Sequence, residues 1–185
     1  MNGGKDPGAV DPKDKEMDDE IYEDELYTEE SDIVLTASRI FSMVARYRGH
    51  EVIETRTTDE YVPLGERTRI ANEAGADFFV SFHANAATTE NAHGIETLYH
   101  PDSVEGKKIA RFVQNRLIQV SAGKDRGIKS RPGLWVLRKT NMPAILVELG
   151  FITNIAEERM LNEDWYLGFL ANAVLRGLED YTVRR

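Results

Sequence analysis

Phe78-Phe79-Val80-Ser81-Phe82-His83-Ala84-Asn85 is an apolar run of strand character that ends in a histidine, a small residue and an asparagine. A second run, Ala144-Ile145-Leu146-Val147-Glu148-Leu149-Gly150-Phe151, carries one carboxylate among aliphatic and aromatic neighbours. Continuous apolar stretches of this length, bounded by turn residues, are what burial on both faces of a sheet requires. Each run therefore reads as a core strand of an α/β domain, and each delivers one side chain able to bind a metal or move a proton. In open α/β sheets the ligand site lies outside the carboxyl ends of the strands, so His83 and Glu148 are expected to converge there.

Outward from these two runs, strands and helices alternate. Ser31 or Asp32 can cap a helix reaching about Arg48, with Ile33, Ala37, Ile40, Phe41 and Val44 on one face, Gly49 as its stop and Glu30 just before its first turn. Residues 51–56 read as a short strand, and Leu64–Ala74 as a helix closed by Gly75. Residues 94–100 alternate like a strand, whereas residues 103–121 place Ile109, Phe112, Val113, Leu117 and Val120 on one helical face. Residues 133–139 predict another strand, joined to the Glu148 run by the tight Thr140-Asn141-Met142-Pro143 connection, and helices over 155–161 and 164–181 close the chain. This order predicts one layered α/β domain with a twisted, mostly parallel sheet flanked by helices.

Length and composition narrow the function. A chain of 185 residues builds one domain with a substantial core and is short for two. No run approaches the ~18 apolar residues of a membrane span, so no membrane partner is expected. Without cysteine there is no disulfide framework and no thiolate zinc site, and any metal must be held by His, Asp or Glu. The first residues lack a basic stretch followed by an apolar one, so no secretory signal is expected in them. The formal charge of -9 is concentrated in residues 1–32, which hold 13 Asp/Glu against 3 Lys; the rest holds 20 Lys/Arg against 19 Asp/Glu. A nearly neutral body lacks the clustered cations that phosphates need, which argues against nucleic acid. Within a single domain of 1–185, residues 1–13 read as a Gly/Pro-rich loop and residues 14–30 as an acidic surface insertion.

Several short blocks carry a resemblance. Gly-Gly-Lys-Asp-Pro-Gly-Ala-Val at 3–10, Glu-Ser-Asp-Ile-Val-Leu at 30–35, Ser-Phe-His-Ala-Asn at 81–85, Gly-Ile-Glu-Thr at 94–97, Asp-Arg-Gly-Ile-Lys at 125–129 and Met-Pro-Ala-Ile-Leu-Val-Glu-Leu-Gly-Phe-Ile-Thr-Asn at 142–154 stand in one order across almost the whole chain. Together they resemble the zinc-dependent N-acetylmuramoyl-L-alanine amidases of bacterial and phage cell-wall lysis. The resemblance implies a six-stranded sheet, one Zn²⁺ held by His, Glu and His, and a glutamate at the end of the last strand. It also implies hydrolysis of the amide between N-acetylmuramic acid and the L-alanine of the stem peptide. Peptidoglycan is then the partner, the site of action is the cell wall, extracellular or periplasmic, and a monomer is expected. Carried over residue by residue, Glu30 becomes the metal-binding glutamate, His83 the second histidine and Glu148 the catalytic glutamate. The family's first histidine has no counterpart: its place falls on Asn2, or on Met1 in the other register, and the first strand is missing. A thioether suits softer metals and an asparagine is a weak oxygen donor. A metal-poor homologue that binds the wall without cutting it is the alternative reading.

The chemistry fits these residue types. Zinc lowers the pKa of bound water to about 7 and polarises a carbonyl, and a catalytic site takes three protein ligands with a fourth position open. Glu148 would move the proton from water to the leaving amine, and its apolar flanks favour a raised pKa. Against this stand plainer readings: His83 as a hydrogen-bonded rim residue, Glu148 as half of a buried ion pair with an arginine, and Glu30 as one solvated carboxylate among many. Glu96 either orients a ligand histidine, touches substrate or faces solvent. Arg67 reads as a structural helix residue, and His50, His93 and His100 as non-ligands.

Overall fold

The computed structural model describes Ala9, residues 28–121 and residues 123–184. In chain order the elements are α1 (Glu30–Tyr47), α2 (Leu64–Ala74), β1 (Phe79–Asn85), β2 (Ile95–Tyr99), α3 (Val104–Val120), β3 (Asp125–Ser130), α4 (Trp135–Lys139), β4 (Ala144–Phe151), α5 (Ile155–Leu161) and α6 (Asp164–Val183). Among the described residues four strands form one sheet in the order β1-β4-β2-β3. β1 runs parallel to β4 and β2 parallel to β3, while β2 and β4 are antiparallel, so the sheet is mixed with two of its three pairings parallel. No helix of the described residues is long and apolar enough to cross a membrane.

The period-two alternation of strands divides the side chains between two unlike faces. Phe82 and Ala84 from β1, Ile95 and Tyr99 from β2, and Ile145, Val147 and Leu149 from β4 enter the larger core with α1, α3 and α6. The opposite face sends Phe79, Leu98, Ala144 and Leu146 into a smaller core with Ala71 of α2 and Val136 and Leu137 of α4. That cover ends part-way along the strands. Beyond it the same face carries Ser81, His83, Glu96 and Glu148, so the active-site candidates stand where the helices leave the sheet open.

Two polar devices and one close backbone contact fix the frame. Buried Gln114 of α3 accepts from Thr97 Oγ1 (2.8 Å) and donates to the Ile95 carbonyl (2.9 Å) and Asp125 Oδ1 (2.8 Å), tying α3 to β2 and β3. Glu157 of α5 accepts from the Gly94 N–H (2.7 Å) and the Phe151 N–H (2.8 Å), clamping the start of β2 to the end of β4. At the crossing of α3 and α6, a Cβ added to Gly177 would stand 2.5 Å from Val113 Cα, so only glycine permits the approach.

Four local expectations change. Residues 133–139 form α4 instead of a strand: a short apolar run cannot choose between the two states by pattern, and burial of Val136 and Leu137 chooses the helix. Residues 51–56 join no ladder among the described residues. They are held instead by Arg46 of α1, which donates to the Val52 carbonyl (3.0 Å) and Glu54 Oε2 (2.9 Å), and by Arg56, which donates to the Ser31 carbonyl (2.8 Å). β3 was not expected at all, because its polar sequence shows no apolar pattern. Helix α1 begins at Glu30 with Glu29 as its cap and makes no side-chain cap bond, which puts Glu30 inside the first turn instead of before it.

Between the outer edge of β1 and residues 50–56 lies a trench of about 670 Å³, floored by Val34, Phe41 and Ala45 of α1. No strand lies beyond β1 among the described residues. The absent first strand and Asn2 concern residues outside those described, as does most of the acidic stretch 14–30.

Candidate active site

Glu30 reaches the sheet because α1 starts beside the carboxyl end of β1. Its Oε1 accepts from His83 Nδ1–H (2.8 Å) and from the Ala84 N–H (3.2 Å), and its Oε2 accepts from the Ala9 N–H (2.8 Å). Glu30 in turn donates its own N–H to the Ala9 carbonyl (2.9 Å). The second ring nitrogen of His83, Nε2, is 3.1 Å from Ser81 Oγ, its neighbour two residues back on the same face. Burial works against charge on both members of the pair. Even so, the hydrogen bond and charge of Glu30 hold His83 above its ordinary pKa, while His83 and the two backbone N–H groups hold Glu30 below the usual carboxylate range.

Glu148 stands beside His83 in the β1–β4 register and opposite Glu96 in the β2–β4 register. Its Oε2 is buried without a hydrogen-bond partner among the described residues. Burial pushes its carboxyl up to about 7; the charges of Glu30 and Glu96 push the same way, and those of His83 and Arg131 oppose it. A carboxylate left unpartnered in such a place is costly unless the site uses it. No arginine among the described residues pairs with it, which leaves the plain reading of a buried ion pair without a partner there.

Glu96 is neither a histidine-orienting group nor a solvent-facing one. It is 4% exposed and is shared by two cations of β3, Arg126 Nε at 2.8 Å and Lys129 Nζ. Arg67 donates Nε–H to the Val62 carbonyl (2.9 Å) as a helix residue would, though its charge is felt at His83. His50 meets Glu179, His93 bonds the Asn91 carbonyl, and His100 follows the opposite end of β2; none comes to the site.

The profile of a family described as N-acetylmuramoyl-L-alanine amidase matches residues 2–180. The chain belongs to that amidase family. It is 35% identical over 134 residues to the sporulation-specific N-acetylmuramoyl-L-alanine amidase of Bacillus subtilis, covering 72% of this chain and 51% of that one. The catalytic domain of CwlV, an N-acetylmuramoyl-L-alanine amidase from Bacillus (Paenibacillus) polymyxa var. colistinus, superposes with a TM-score of 0.85 at 27% identity, covering 99% of this chain and 94% of that one. The CwlD amidase of Clostridioides difficile, solved in complex with the GerS lipoprotein, superposes with a TM-score of 0.88 at 28% identity, covering 100% of this chain and 95% of that one. This chain thus spans about half the length of the sporulation amidase and nearly all of the solved domains.

For an amidase of this family the arrangement brings Glu30, His83 and Glu148 together on one open face. Glu30 and His83 supply an oxygen and a nitrogen donor close enough to share one ion, a donor set that suits zinc. They are one short of three, and no group of three His, Cys, Asp or Glu able to hold a metal occurs among the described residues. Sequence reasoning missed Ser81, Arg126, Lys129 and Arg131. The signal for the last two was a period-two charge, Lys129 and Arg131 flanking Ser130.

Proposed function

We propose that this chain hydrolyses the amide joining N-acetylmuramic acid to L-alanine in peptidoglycan, with Glu148 as the proton-transfer residue and Glu30 and His83 as two protein ligands of a zinc ion. The observation that carries the reading is the buried, unpartnered oxygen of Glu148 standing beside the 2.8 Å Glu30–His83 pair. When bound, zinc supplies Lewis acidity for the amide carbonyl and a more acidic water.

The chain's own groups do the rest. A carboxyl titrating near 7 accepts a proton at neutral pH and returns it to the departing amine with little driving force lost either way. Glu30, fixed by three N–H groups and the start of α1, holds the ring of His83 in one orientation. The half-covered sheet face leaves room for the substrate over Ser81, His83 and Glu148, while α2 and α4 cover Phe79, Leu98, Ala144 and Leu146. Action at the cell wall, extracellular or periplasmic, as a monomer, belongs to the same proposal.

The test is release of peptide from purified sacculi by the zinc-supplemented chain. Wild type releases it; a chelator stops release and added zinc restores it; Glu148→Gln lowers the rate by at least ~10²-fold. A folded, zinc-loaded chain that binds muropeptides and releases none would establish the non-catalytic alternative instead.

A further inference from the structure

The two ring nitrogens of His83 stand in different surroundings. Nδ1 lies 2.8 Å from Glu30 Oε1, whose carboxylate is anchored by the N–H groups of Ala84 and Ala9. Nε2 lies 3.1 Å from Ser81 Oγ. Ser81 and His83 alternate on β1 and so share a face, in register with Leu146 and Glu148 of β4. On that face Ser81 stands between His83 and Phe79, which is covered by α2 and α4. An ion bound at Nδ1 can take Glu30 as a second ligand. An ion bound at Nε2 would meet a serine hydroxyl, which is not among the usual zinc donors. A histidine that gives one nitrogen to a metal keeps its proton on the other, and a fixed acceptor there sets the tautomer and the ring plane.

We propose that Ser81 is a positioning residue for the metal site: its hydroxyl oxygen accepts the Nε2–H of His83 and fixes the imidazole in the tautomer that presents Nδ1 to a zinc ion shared with Glu30. The inference rests on the reading of Glu30 and His83 as zinc ligands given above. Glu30 cannot hold the ring in the loaded state, because as a ligand it gives its oxygen to the ion and no longer accepts from Nδ1. The ring bond that then remains among the described residues is the one at Nε2. Metal binding replaces the proton on Nδ1 alone and leaves the Nε2–H to Ser81 bond as it was, so the ring enters the complex without turning. A hydroxyl accepts that N–H without adding a charge beside Glu148.

The experiment measures the zinc affinity of the full chain by competition with a chromophoric chelator at one fixed pH, beside Ser81→Ala and Ser81→Thr. Removing the acceptor weakens zinc binding by about tenfold or more, the usual worth of such a partner, whereas Ser81→Thr stays within about threefold of the parent. Threonine keeps the hydroxyl in a side chain suited to a strand. Thermal unfolding of the metal-free proteins separates fold from role, since all three melt within a few degrees of one another. A chain with isotope-labelled imidazole nitrogens, loaded with NMR-active cadmium in place of zinc, shows the metal coupled to Nδ1 of His83 and the proton on Nε2; His83→Gln identifies the resonances by their loss. Coupling through Nε2, a zinc affinity unchanged in Ser81→Ala, or an equal loss in Ser81→Thr would each overturn the role of Ser81 and leave His83 a ligand. A parent chain that takes up no zinc, or holds it equally well after His83→Gln, strikes the ligand reading of His83 and this proposal with it.

Discussion

Among single residues, Glu148 bears the sharpest conflict between stability and use. A carboxyl whose folded pKa is raised to about 7 from 4.5 binds more protons native than unfolded between those values. Stability therefore falls as pH rises through that window and stays lowered above it. Glu148→Gln should then stabilise the metal-free protein by about 1–3 kcal/mol at pH 8 and by nothing below pH 4.5, read by urea unfolding at both pH values. The same titration should make activity rise with pH through about 7, since the base must be ionised; a profile without that limb would remove Glu148 from the role. His83, held above its ordinary pKa by Glu30, must give up its proton to a metal. Zinc affinity should accordingly drop as pH is lowered through the histidine range, measurable by competition with a chromophoric chelator. Glu148 and His83 were legible because each is the one ionisable residue in an apolar run. Glu30 was legible only through the resemblance, as one of 13 acidic residues in the first 32.

Elements differ in what the sequence could reveal about them. β1 and β4, apolar on both sides, emerged almost residue for residue. β3 did not, since an edge strand of charged residues has no core signature; its partner is Glu96, a contact no local pattern encodes. α4 is five residues long and too short to be stable by itself, so only its contacts with α2 and the sheet decide its state. The α3–α6 crossing invites a direct test: Gly177→Ala pushes a methyl into the Val113 backbone and should cost about 1–3 kcal/mol, lowering the melting temperature by several degrees. The edge of β1 that no strand of the described residues covers invites another. Phe79 donates its N–H to the Pro143 carbonyl on the β4 side, so by strand alternation the N–H groups of Val80 and Phe82 point away from β4 into the trench. Their amides should exchange with deuterium faster than those of Ser81 and His83; equal protection would mean that the trench is filled by a strand.

Viewed as a whole, the molecule is a sheet with one face sealed by three helices and the other sealed by two over half its length. The α/β class and the convergence of His83 with Glu148 follow from the two apolar runs. Which half of the second face stays open follows from how far α2 and α4 reach, a matter of tertiary packing that no run of sequence carries. One more property follows from the doubly bonded pair Ala9 and Glu30, joined by N–H to carboxylate and carbonyl to N–H. It joins Ala9 to Glu30, and residues 10–27 of the sequence between them hold 9 of the chain's 32 acidic residues. A short Asn-Gly turn could bridge the same two points. Replacing residues 10–27 by a four-residue turn should shorten a closed loop by an amount worth about 1 kcal/mol of chain entropy. It would also remove most of the protein's net negative charge, moving its isoelectric point toward neutrality. Such a minimised chain should melt no lower than the parent in a thermal scan, and it would migrate very differently through an ion-exchange column and in an electric field.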